Sequence, residues 1–175
     1  EQFHRVYGIE DAEGKHIVVE RYVQDGRLTE AFNFNLDSLN VMDHMVVNAL
    51  GENEKATLYK DQFLPKLKGD TAKFISKFSG VTDSTVFFMD VNRELSAKKI
   101  RQVLSDSLEC ITLEENAIYT LLNPFTKQES QQTLETVAYF AKDIGLVMWY
   151  DTKKRSQFEL EEILSQEKWI KLISE

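Results

Sequence analysis

The residues of this chain best suited to chemistry gather in two short polar stretches. These are Asp90-Val91-Asn92-Arg93 and Asp151-Thr152-Lys153-Lys154-Arg155-Ser156, each following an apolar run. In an open parallel α/β sheet, ligands bind beyond the carboxyl ends of the strands, where helix N-termini point and loops vary. If the two apolar runs are neighbouring strands, Asp90, Asn92, Asp151 and Lys153 converge on one crevice. Two carboxylates beside a lysine suit a divalent cation or a phosphate group. Lys153, Lys154 and Arg155 stand just before Ser156, which reads as a helix N-cap. Three cations at the positive end of a helix dipole are unfavourable unless an anion is held there, so residues 152 to 156 are expected to form an anion or phosphate site. The plainer alternative is that these residues only end strands and start helices in solvent. Asp151-x-Lys153 also matches the last half of a nuclease metal motif, in which a carboxylate holds the metal and a lysine orients water.

The remaining inventory narrows the field. His4, His16 and His44 have no zinc-ligand spacing, and the single Cys110 sits in the apolar run Leu108 to Ile111 as a small hydrophobe. No Gly-x-Gly-x-x-Gly, Walker or Gly-x-Ser-x-Gly sequence occurs, so no cofactor is indicated. A formal net charge of -8 disfavours broad binding to nucleic acid or anionic lipid, which depends on clustered Lys and Arg. The longest apolar run, Ile144 to Tyr150, falls far short of the roughly 20 residues of a membrane span. With no signal peptide visible, the expected location is cytoplasmic. The chain begins with Glu1 rather than Met and so reads as a piece of something longer.

The elements that must position these residues suggest one domain over 1–175, with an antiparallel β-meander at 1–35, a helical connector at 36–80 and a Rossmann-like half at 81–175. Phe3 to Ile9, Lys15 to Val23 and Arg27 to Phe34 read as strands joined at Ala12-Glu13-Gly14 and Asp25-Gly26, the latter a strong hairpin signal. Ile17, Val19, Arg21 and Val23 fall on one face of the second strand, and Leu28, Glu30, Phe32 and Phe34 on one face of the third. The outer edge of this meander is free to meet a partner.

Met42, Met45, Val46, Ala49 and Leu50 have helical spacing, as do Phe74, Ile75 and Phe78. Thr85 to Asp90 and Gly145 to Tyr150 read as strands buried on both faces of a mainly parallel sheet. Between them, Leu95, Ile100, Val103, Leu104 and Leu108 predict one helix and Leu134, Val137, Ala138 and Ala141 a clearer one. Capping-box patterns start at Thr112, Thr126 and Ser156; a helix at 156 to 165 and an edge strand at Trp169 to Ile173 complete the reading. The fold class is therefore α/β, with α+β character at the N-terminus.

Phe3-His4-Arg5-Val6-Tyr7, Asp11-Ala12-Glu13-Gly14, Glu20-Arg21-Tyr22 and Asp25-Gly26-Arg27 together resemble a β-meander of bacterial glycosyltransferases. The family modifies serine-rich adhesins or teichoic acid and has relatives in accessory secretion. Leu58 to Asp61, Phe74 to Phe78 and Thr82-Asp83 to Asp90 follow its next helix and strand loosely. The resemblance covers at most half the chain. No stretch after Asp90 resembles the family's nucleotide-sugar signature, so no catalytic residue carries over. It implies a meander that meets an acceptor protein or a partner subunit.

Three readings follow. The first is a non-catalytic binding or accessory domain with a protein partner. The second is a glycosyltransferase, or part of one, holding a nucleotide sugar or other phosphate-containing ligand at Asp90, Asn92 and Lys153. The third is a metal-dependent nuclease built on Asp151.

Overall fold

In the computed structural model of the protein, which describes residues 2–48, 50–80, 82, 84–153 and 155–174, antiparallel strands replace the expected α/β half. Ala49, Asp83 and Lys154, which enter the readings above, lie outside the described residues. The first sheet runs in chain order through β1 (Gln2–Asp11), β2 (Gly14–Val23), β3 (Leu28–Asn35), β4 (Val41–Val47) and β5 (Asn53–Lys55). The second runs through β6 (Thr57–Asp61), β7 (Thr71–Ser79), β8 (Val86–Leu95), β10 (Asp106–Leu122), β11 (Glu129–Ala141), β12 (Gly145–Asp151) and β13 (Gln157–Glu159). The short β9 (Lys99–Val103) continues the line of β8 along the N-terminal part of β10. One helix is described, α1 (Gln166–Ser174).

The N-terminal hairpins follow the sequence closely. Gly14 and Gly26 take positive φ values of 118° and 76° at the two turns, a backbone state that favours glycine, and Asp25 Oδ1 accepts the Arg27 N–H at 3.0 Å. Beyond residue 35 the helical expectations fail for an identifiable reason. In β7 the buried residues are Ala72, Phe74 and Ser76, a strict period of two, while Lys73 and Lys77 alternate with them. The apparent helical triplet of Phe74, Ile75 and Phe78 takes residues from both faces. Likewise Val41, Met42, Met45 and Val46 belong to β4, where β-branched valines favour the pleated backbone.

The expected helix at 134 to 141 is β11. Thr136 and Tyr139 have opposite parity and are both buried, so this strand is covered on both faces and imitates a helical stripe. The proposed helix from Leu95 to Leu108 is split among β8, β9 and the start of β10. Thr112 lies inside β10, and Thr126 lies in the β10–β11 loop, where Asn123 Oδ1 accepts the N–H groups of Phe125 and Thr126 at 3.0 and 3.1 Å. The C-terminal assignments are exchanged: 157–159 is a strand and Trp169 belongs to α1. No parallel pairing joins any of the named strands.

Strand 53–61 links the sheets, because β5 pairs with β4 and β6 with β7 on either side of Ala56, whose N–H donates to the His44 carbonyl at 2.8 Å. The sheets then face each other across a core of Phe32, Val41, Phe74, Met89, Val91 and Ala117. A second cluster, built on Cys110, Tyr139 and Val147, lies on the opposite face toward the other end of β10. The edges approach where His4 of β1 stacks on Phe158 of β13, with centroids 5.1 Å apart and planes 7° apart. On the other face of β1, Phe3 meets Trp169 of α1, so the C-terminal segment reaches both faces of that edge. Among the described residues no helix is long and apolar enough to cross a membrane.

Candidate functional site

Because paired residues on adjacent strands share a face, the register lays out the inner surface of the second sheet row by row. Ala72, Arg93, Glu115, Thr136 and Asp151 form one row across β7, β8, β10, β11 and β12. The next is apolar, Phe74, Val91, Ala117 and Leu134, followed by Ser76, Met89, Tyr119 and Gln132. The last is Phe78, Phe87, Leu121 and Ser130, of which the latter three line a cleft of about 350 Å³ together with Tyr119 and Gln132. The charges thus lie at one end of this face and an aromatic rim at the other.

Within the charged row Arg93 and Glu115 pair with each other. Arg93 Nε lies 2.6 Å from Glu115 Oε2, its guanidinium covers the Phe63 ring at 3.6 Å, and Nη1 donates to the Phe63 carbonyl at 3.3 Å. Burial pulls the Arg93 guanidinium below its ordinary range while Glu115 opposes the shift. Tyr119 is pushed up to about 12, first by burial and then by the negative charges of Glu115 and Glu30.

A reactive-looking constellation that sequence reading missed joins the two sheets. Glu30 of β3 lies directly across from Arg21 of β2, and Arg21 Nη1 donates to its Oε2 at 2.7 Å. Its Oε1 accepts from His44 Nε2 at 2.9 Å, and His44 Nδ1 lies 3.0 Å from Ser76 Oγ on β7. Burial alone would raise the Glu30 carboxyl, but Arg21 and His44 outweigh it and hold the pKa below the usual value. An ionised carboxylate only accepts, so Nε2 carries a proton and, in the neutral ring, Nδ1 accepts from the Ser76 hydroxyl.

Serine, histidine and carboxylate in series are the parts of an acyl-transfer triad. Here both Ser76 and His44 are 0% exposed, and Phe32 stacks on the imidazole at 4.3 Å. No substrate carbonyl reaches Ser76 in this arrangement. The linear sequence hides the chain because Glu30, His44 and Ser76 sit on three strands that only the tertiary fold brings together.

The residues singled out from the sequence are dispersed. Asp90 has the opposite parity to Arg93 and therefore lies on the other face of the sheet from Asp151; its Oδ2 pairs with Lys73 Nζ at 3.2 Å. Asn92 shares that outer face, opposite Lys73 and Asn116. With β10 and β11 between β8 and β12, the two strands are three spacings, about 14 Å, apart. Asp151, Lys153, Arg155 and Ser156 do meet, but in a hairpin between β12 and β13 rather than at a helix start, and the Ser156 carbonyl accepts the Asp151 N–H at 3.0 Å.

Asp151 is itself the anion of that turn. Burial disfavours its charge, yet the Arg155 side chain at 2.9 Å and the backbone N–H groups of Arg155 and Lys153 hold the carboxyl below its usual range. Among the described residues no three His, Cys, Asp or Glu side chains converge to hold a metal ion.

What remains open is a backbone edge. Among the described residues β1 pairs with β2 along its full ten-residue length and with no other strand. Phe3 and His4 are, among the described residues, the β1 side chains that meet the rings of the C-terminal segment. From Arg5 to Asp11 the edge carries two exposed apolar side chains, Val6 at 51% and Ile9 at 41%. An unpaired strand edge presents free backbone donors and acceptors and is a ready template for another strand.

Set against family models, curated proteins and solved structures, the chain matches none at a significant level.

Proposed function

We propose that the protein is a non-catalytic binding or accessory domain that acts through protein–protein contacts, with β1 as its contact edge. The observation that carries the reading is the pairing of β1 on one side only, with Val6 and Ile9 exposed along it. Strand addition to such an edge supplies main-chain hydrogen bonds for affinity and side-chain contacts for specificity. The sealed Glu30–His44–Ser76 chain supports the same reading, because its groups are spent on joining the sheets.

The glycosyltransferase reading draws no support from the geometry, since it wanted Asp90 and Asn92 beside Lys153 and both lie on the opposite face from Asp151. The nuclease reading gains none from a metal-holding cluster among the described residues. A cytoplasmic location belongs to the proposal too; cell fractionation tests it.

The test of function is affinity capture with the wild type and with Val6→Lys/Ile9→Lys, alongside a screen for small-molecule turnover. Loss of a captured protein on the edge variant, with the circular dichroism spectrum unchanged, supports the proposal. Turnover of a small substrate with no edge-dependent partner overturns it.

A further inference from the structure

Resting on that reading, we infer that the strand which pairs with β1 is β1 of a second copy of this chain, in antiparallel two-fold register centred on Gly8. Symmetry restricts the choice first. Two antiparallel edge strands related by a two-fold axis perpendicular to the sheet keep the same face upward, so residue i must oppose a residue of its own parity. Only registers whose opposed numbers add to an even sum are available.

Occupancy of the edge restricts it further. Phe3 and His4 are held by Trp169 and Phe158, which leaves Arg5 to Asp11 as the free stretch. The register centred on Gly8 pairs all of that stretch and nothing else. Centring on Tyr7 draws Phe3 into the new ladder, while centring on Ile9 leaves Arg5 and Val6 unpaired.

The centred register is also complementary in chemistry. On the outer face Arg5 opposes Asp11 of the second copy, twice by symmetry, and Tyr7 opposes Ile9, covering that exposed side chain. On the inner face Gly8 meets Gly8 on the axis, flanked by Val6 opposite Glu10. Arg5 donates to Glu20 through Nη1 at 3.2 Å and has further N–H groups for a second carboxylate. Directly opposed opposite charges and aromatic–aliphatic pairs are the favourable cross-strand combinations. Two strands of this length make a small interface, so the dimer is weak and dependent on concentration.

The test uses the whole chain. Sedimentation velocity over a concentration series is combined with oxidative cross-linking of single-cysteine substitutions; Cys110 is buried and does not compete. The Gly8 backbone has an ordinary φ, and a Cβ there meets nothing nearer than the His16 carbonyl oxygen at 3.8 Å, so Gly8→Cys is tolerated. The expected result is a sedimentation coefficient that climbs toward the dimer value, a disulfide-linked dimer with Gly8→Cys but not with Tyr7→Cys, and loss of both dimer signals when Ile9→Lys is added. A chain that stays monomeric throughout, or a dimer that does not cross-link at position 8, overturns the inference. If the monomer still captures a partner through β1, the binding-domain reading survives the loss of this one.

Discussion

Arg155 donates from Nε to the buried Asp151 Oδ2 at 2.9 Å, so the arginine of the basic turn after β12 is paired from within the chain. Of the cations that suggested a phosphate site, Arg155 serves a carboxylate four residues away. Arg155→Ala is therefore expected to lower the melting temperature, while Lys153→Ala leaves it nearly unchanged. Phosphate should raise the melting temperature of the wild type and of Lys153→Ala equally. A phosphate response that vanishes in Lys153→Ala would restore an external anion site at this turn.

The Glu30–His44–Ser76 chain is expected to be inert toward serine-directed organophosphonates. Intact mass after incubation should show no adduct. Its role is structural: Ser76→Ala leaves His44 Nδ1 buried without a partner, a loss of about 1–3 kcal/mol in urea unfolding. Labelling at Ser76 would mean that the interior opens and would reverse this assignment.

Arg93 and Glu115 provide a second check on the interior. Removing one member strands a buried charge, so Arg93→Ala should destabilise by about 3–5 kcal/mol. Replacing both, with Arg93→Met/Glu115→Leu, should recover most of that loss, because well-packed apolar residues often match or exceed a buried ion pair. A double variant no better than the single one would contradict the pairing.

The chain should also lose stability in acid through His4. Its pKa is lowered to about 4, first by burial between the sheet edges and second by the charge of Arg21. A folded pKa below the unfolded value of about 6.5 means that the unfolded chain binds the proton more readily. The contribution of neutral His4 is thus fully present above pH 6.5 and is lost as the pH falls from there through 4. Its size is at most about 3 kcal/mol. Unfolding free energies measured between pH 7 and 4 should fall less steeply in His4→Phe than in the wild type; parallel curves would exclude His4 as the source.

What the sequence made legible was local. Asp25-Gly26 and the alternation through Val19, Arg21, Glu30 and Phe32 located β1 to β3 because hairpin turns and one-sided burial leave a period-two record. That record blurs where both faces are covered, as at Thr136 and Tyr139, or where a bulge shifts the phase, as between Tyr139 and Phe140. Asp151 does end its strand as read, but Asp90, expected at a strand end, lies in the middle of β8, which runs on to Leu95, and whether the two acids meet depends on strand order and face. Ser76 and His44 carry no mark at all in sequence, since their meaning arises only from a contact 32 residues apart.

Amide hydrogen exchange of residues 5–11 tests most directly whether the domain works by presenting β1 to another strand. The wild type is compared alone at low concentration and with any protein it captures, or at high concentration of itself. Alternate amides along Arg5 to Asp11 are expected to exchange quickly in the dilute protein and to become protected on association, with β7 to β11 unchanged. Association that leaves residues 5–11 exchanging as before, and protects another surface instead, would contradict it.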